Sequence, residues 1–149
     1  MFISGRDLWV LAIADSNPSV HMKLRPEAKY IGNMHGNEAI TQEVLLHFLD
    51  YLLNNQMNDP NVDFILKNTR VHIMPSMNPD GYGEAYVGDC QGLDGRYNAN
   101  NVDLNRNFPD LFDCNDKIVL QPEVNSVVNW LENSFFILSA NLHSGTKFN

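Results

Sequence analysis

His35 and Glu38 stand three residues apart in the stretch YIGNMHGNEAI, residues 30–40. Imidazole nitrogen and carboxylate oxygen both suit zinc, and side chains three apart around a tight turn can converge on one ion. Gly36 leaves backbone room for that turn. A catalytic zinc takes three protein ligands and keeps a fourth position for water or substrate. His143, the last residue of FFILSANLH (135–143), is the best-placed third donor. The spacing alone also fits a strand-end histidine and an anion in the first turn of a helix. His21, His47 and His72 lack any partner pattern and are given no role.

A second group lies in GRYNANNVDLNRNFPD, residues 95–110. Arginine grips a carboxylate through two parallel hydrogen bonds and stabilises a developing oxyanion. Arg96 and Arg106 are candidates for those tasks, with Asn105 beside them. Asp103 is suited to accept a hydrogen bond from a metal-bound imidazole. By residue type alone the same stretch also reads as a solvated polar loop.

The elements that must hold these residues follow from periodicity. DLWVLAIAD (7–15) is apolar on both alternations and predicts a strand buried on both faces, and residues 28–34 predict the next strand. Ile40, Val44, Leu45, Phe48, Leu49, Leu52 and Leu53 trace one face of a helix. Residues 61–68 predict a short helix, 70–76 a strand, and NPDG (78–81) a turn. Residues 83–121 read as a long loop. Pro122 opens a further helix through Val124, Val127, Val128 and Leu131, and 135–143 predicts a final buried strand. The expected fold is α/β, a mixed and mostly parallel sheet with helices on both faces. In such sheets ligands bind beyond the carboxyl ends of the strands, where His35 and His143 both fall.

Composition bounds the function. The 149 residues are 44% hydrophobic and 19% charged, a globular balance for one domain. A net charge of −8 argues against nucleic acid or an anionic membrane as the main partner. No apolar run reaches membrane-spanning length, and no signal peptide is visible at the start. Cys90 and Cys114 lack metal-site spacing and read as loop thiols or one disulfide.

NMHGNE, MPSMNPDGY, GRYNANNVDLNRNFPD and ILSANLH, in that order, resemble the zinc metallocarboxypeptidases, in particular the branch of carboxypeptidases N, E, M and D. The resemblance implies one zinc held by His35, Glu38 and His143. It implies Asp103 behind His35, Arg96 as the catalytic residue that polarises the scissile carbonyl, and Asn105 and Arg106 as binders of the substrate's terminal carboxylate. The implied reaction releases C-terminal residues, Lys or Arg by branch, from peptides and proteins in the secretory pathway or outside the cell. Against the family pattern, residues 1–149 read as a partial catalytic domain truncated at both ends. The general-base glutamate is absent, so this chain is expected to be inactive alone and poorly soluble. Ser144 replaces a glycine usual in the branch. Two other readings remain: a non-catalytic zinc- or peptide-binding protein, and a zinc amide hydrolase acting on N-acyl amino acids.

Overall fold

The computed structural model describes residues 5–89, 92–110 and 118–145. Cys90 and Cys114 lie outside them. Four strands form one sheet: β1 (Leu11–Ile13), β2 (Glu27–Ile31), β3 (Arg70–Met74) and β4 (Phe136–Asn141), in the order β1-β3-β2-β4. β2 runs parallel to β3 and β4, and β1 runs antiparallel to β3. The mixed, mostly parallel sheet expected from the sequence is therefore present.

Alternation along the central strands sorts the core into two layers. Val71 and Ile73 pack with Ile13 and with Leu45, Leu52, Val62 and Leu66 of helices α1 (Ala39–Asn55) and α2 (Pro60–Asn68). Ile31 and Met74 join a separate cluster with Leu104 and with Val124 and Val127 of α4 (Pro122–Glu132). Of the predicted face of α1, Leu45 and Leu52 are buried and Phe48 and Leu49 partly so, whereas Ile40, Val44 and Leu53 are exposed. The 3.6-residue pattern is right but the buried stripe is narrower than the apolar one.

The edges depart from expectation. Only three residues of the 7–15 run pair, because β1 is an edge strand; Trp9 and Leu11 are 72% and 38% exposed. β4 is the other edge, and Phe135, Ile137 and Leu138 are exposed instead of buried. Residues 78–81 do not form an isolated turn: Asn78 caps a short helix, α3 (Pro79–Glu84), with proline at its start. The loop predicted from 83 to 121 contains the end of α3 and a 3₁₀ turn at Leu104–Arg106.

Glu27, at the start of β2, is 2% exposed. Its carboxylate meets His21 Nδ1 at 2.5 Å, His72 Nε2 at 2.7 Å and Arg70 Nη1 at 3.2 Å. Burial alone would raise its pKa, but the bonds from His21 and His72 and the Arg70 charge hold it below the usual carboxylate range. Burial pushes His72 down, with Glu27 offsetting part of the effect. Both folded-state values lie below their unfolded counterparts, so the unfolded chain takes up protons first as pH falls. Stability from His72 begins to drop near its unfolded value of about 6.5, and that from Glu27 drops further below about 4.3. Glu27→Ala leaves Arg70 without its buried partner and is expected to cost about 3–5 kcal/mol. Denaturant melts from pH 7 to 4 check both; a variant as stable as the parent, or a flat profile, contradicts the assignment.

Candidate metal and substrate site

The site forms where the strand order reverses. β2 and β4 are neighbours, paired from Glu27↔Phe136 to Ile31↔Asn141, and Leu142 N–H donates to the Ile31 carbonyl at 2.8 Å. The chain leaving β2 and the chain leaving β4 thus emerge side by side, carrying His35 and His143. Their ring centroids are 4.9 Å apart.

Asn33 builds the turn after β2. It adopts φ +52°, a conformation asparagine tolerates better than most residues. Its side-chain amide donates to the carbonyls of His35 and Gly36, at 3.1 and 2.8 Å, and its Oδ1 accepts from Ser76. Its own N–H donates to Thr41 Oγ1 in the first turn of α1. Glu38 occupies the N-cap of α1 but makes no side-chain capping bond. Its carboxylate turns to the histidines: Oε1 lies 2.8 Å from His35 Nδ1, and Oε2 lies 3.0 Å from His143 Nδ1 and 2.9 Å from the Ser144 N–H. The Ser144 contact is through backbone, so serine serves there as glycine would.

Asp103 lies on the far side of His35, with Oδ1 3.0 Å from Nε2. The same oxygen accepts the Asn105 N–H, which caps the 3₁₀ turn, and Oδ2 accepts Arg96 Nη2 at 2.9 Å. Burial would raise the Asp103 carboxyl, but the bonds from His35 and Asn105, reinforced by Arg96, hold it below its ordinary range. An ionised Asp103 takes the protonated nitrogen of His35. In the neutral ring Nδ1 is then the ligand atom, on the side that faces Glu38. One donor atom each from His35, Glu38 and His143 lie within 4.8 Å of one another. Candidate ligand atoms at this spacing suit a divalent cation, and two imidazoles with a carboxylate suit zinc.

These groups line a cavity of about 300 Å³ with Arg96, Asn105, Arg106 and Ser144. Arg96 Nη1 is 3.7 Å from Glu38 Oε1. Leu104, fully buried, anchors the 3₁₀ turn that presents Asn105 and Arg106. Arg106 is exposed, and its Nη1 donates to the Asn105 carbonyl at 3.0 Å. Every site residue singled out from sequence reaches this one region. Asn33, Thr41 and Asn78, which hold its backbone, carry little signal in the sequence: Asn33 and Asn78 are polar residues beside a glycine or proline, and Thr41 has no such neighbour.

Residues 3–148 match the zinc carboxypeptidase family. The chain belongs to that family. It is 48% identical to mouse (Mus musculus) carboxypeptidase M over 143 residues, covering 96% of this chain and 32% of that protein. It is 50% identical to human (Homo sapiens) carboxypeptidase D over 145 residues, covering 97% of this chain and 10% of that one. The chain therefore spans about a third or less of these relatives. Among solved structures, the carboxypeptidase A of Helicoverpa armigera superposes with a TM-score of 0.77 at 21% identity, covering 96% of this chain and 39% of that one, a likeness of fold. The family is that of zinc hydrolases, one zinc per site, and the His35, Glu38 and His143 donor set fits that ion. No described helix is long and apolar enough to cross a membrane.

Metal analysis after dialysis against trace zinc is expected to give about one zinc per chain. His35→Ala and His143→Ala should abolish it, and Asp103→Ala should weaken affinity about 10–100-fold by freeing the His35 ring. Equal zinc content in all four proteins would contradict the ligand set.

Proposed function

We propose that this segment binds the C-terminus of a peptide across a zinc held by His35, Glu38 and His143, as the metal-binding part of a carboxypeptidase. The observation that carries the reading is one cavity in which three inward-facing donors meet two arginines of different environment. Zinc, when bound, supplies Lewis acidity toward a carbonyl and acidifies water. The chain's own groups divide the rest. Arg106, exposed and beside Asn105, pairs with the terminal carboxylate and thereby restricts the site to chain ends. Arg96, fixed by Asp103 and close to Glu38, donates to the oxygen of the scissile carbonyl as charge develops there.

The preference for a terminal Lys or Arg rests on the branch resemblance. Placement in the secretory pathway or outside the cell rests on the same resemblance. Glu38 is the one carboxylate among the described residues that line the cavity, and the reading commits it to the metal. No carboxylate in this set is left to take a proton from water. The segment is therefore read as binding zinc and peptide termini without rapid turnover unless a further carboxylate is supplied.

Calorimetry with a blocked peptide ending in arginine, as free acid and as amide, tests the reading. The zinc-loaded protein should favour the acid, and Arg106→Ala should erase the preference. In a form that turns over, Arg96→Ala should lower kcat by about 10²–10³-fold, with the Michaelis constant little changed. Equal binding of acid and amide by the parent contradicts the carboxylate anchor; a pure Michaelis-constant effect for Arg96→Ala contradicts its part in the chemical step.

A further inference from the structure

α3 lends no residue to the cavity, yet it packs against both the ligand turn and the Arg96 loop. Asn78, its N-cap, is fully buried. The Asn78 N–H donates to the Asn33 carbonyl at 3.0 Å, on the turn that carries His35. Its Oδ1 accepts the Gly81 N–H at 2.8 Å, and its Nδ2 donates to the Arg96 carbonyl at 3.3 Å. One buried residue thus meets the ligand turn through its backbone N–H and the Arg96 carbonyl through its side-chain amide.

Three glycines meet at the same place. A Cβ on Gly36, between His35 and Glu38, would lie 2.2 Å from the Gly81 carbonyl carbon and the Tyr82 nitrogen, and 2.5 Å from the Gly95 oxygen. A Cβ on Gly81 would lie 2.5 Å from Asn78 Nδ2 and from the carbonyl oxygens of Gly95 and Tyr97, the residues flanking Arg96. Gly95 has φ +77°, and a Cβ there would meet the Gly81 oxygen at 2.4 Å. The ligand turn, α3 and the Arg96 loop thus meet largely backbone to backbone, where a small added volume has little room.

We infer that Asn78 and Gly81 are positioning residues that set the distance from Arg96 to the metal centre. The inference rests on the proposed role of Arg96 in stabilising charge on the reacting carbonyl. A methyl at position 81 must push the Gly95–Tyr97 carbonyls away, and Arg96 moves with them. Loss of the Asn78 amide frees the Arg96 carbonyl. Arg106 and His143 are carried by other elements, the 3₁₀ turn and the chain leaving β4, which make no hydrogen bond to Asn78 or Gly81 among those of the described residues.

The test uses the zinc-loaded chain, with three readouts for wild type, Gly81→Ala, Asn78→Ala and Arg96→Ala. These are zinc content, Kd for free arginine, and Kd for a phosphonate isostere of a blocked dipeptide ending in arginine, which carries tetrahedral anionic oxygens where the scissile carbonyl would be. A wild-type preference for the phosphonate over arginine is expected. Gly81→Ala and Asn78→Ala should each lower phosphonate affinity about 10–100-fold, the cost of an ångström-scale misplacement, with zinc content and arginine affinity kept. Adding Gly81→Ala to Arg96→Ala should change little, because both act through one group. A phosphonate preference retained by both single variants overturns the inference, as does a full extra loss in the Arg96→Ala background. A parallel loss of zinc and arginine binding makes the two residues structural supports only and overturns it too. A wild type with no phosphonate preference would instead refute the role proposed for Arg96, and the inference with it.

Discussion

The carboxylate of Glu38 is the contact on which the rest of the site depends. A glutamate at the head of a helix would ordinarily serve the backbone N–H groups of its first turn or face solvent. Here it does neither, and both oxygens are directed at groups from β2 and β4 ends. Removal of that acid from water is costly unless opposite charge or hydrogen-bond donors meet it. The Ser144 N–H and the Arg96 guanidinium, 3.7 Å away, meet part of the need, and a cation held between the carboxylate and the two imidazoles would meet the rest. The parallel pairing of β2 with β4 makes this possible by delivering His35 and His143 to the same place from distant parts of the chain.

Asparagine side chains do the work that helices and strands do elsewhere. Among the described residues of the segment before α4, backbone polar groups outside α3 and the 3₁₀ turn join no sheet ladder and find partners another way. Asn98 accepts from the N–H groups of Asn100 and Val102 while its amide reaches Gln121 and Glu123. Asn107 donates to the Val119 carbonyl and accepts the Gln121 N–H. Both are at most 7% exposed. A stretch with no apolar period is thereby fixed against α4, and Arg96, Asn105 and Arg106 gain a rigid base.

The sequence was most informative where chemistry constrains residue type. His35, Glu38, His143 and Asp103 stand out as metal-site residue types, and the apolar periods located β2, β3, α1, α2 and α4. It was least informative where exposure depends on neighbours beyond the pattern. The runs around β1 and β4 look like buried strands, yet both are sheet edges with Trp9, Phe135 and Ile137 open to solvent. NPDG has the composition of a turn, and only its contacts reveal that Asn78 caps a helix pressed against the ligand turn. The Glu27 cluster was hidden for a similar reason: His21, Glu27, Arg70 and His72 come from three separate stretches, and no local spacing joins them.

The central claim is that His35, Glu38 and His143 together hold one zinc. X-ray absorption at the zinc edge of the loaded protein tests it most directly. The account predicts two imidazole nitrogens at about 2.0–2.1 Å with carboxylate or water oxygens completing the shell, and loss of the carboxylate contribution in Glu38→Ala. A sulfur shell at about 2.3 Å, which would implicate Cys90 or Cys114, or a spectrum unchanged in Glu38→Ala, would contradict it.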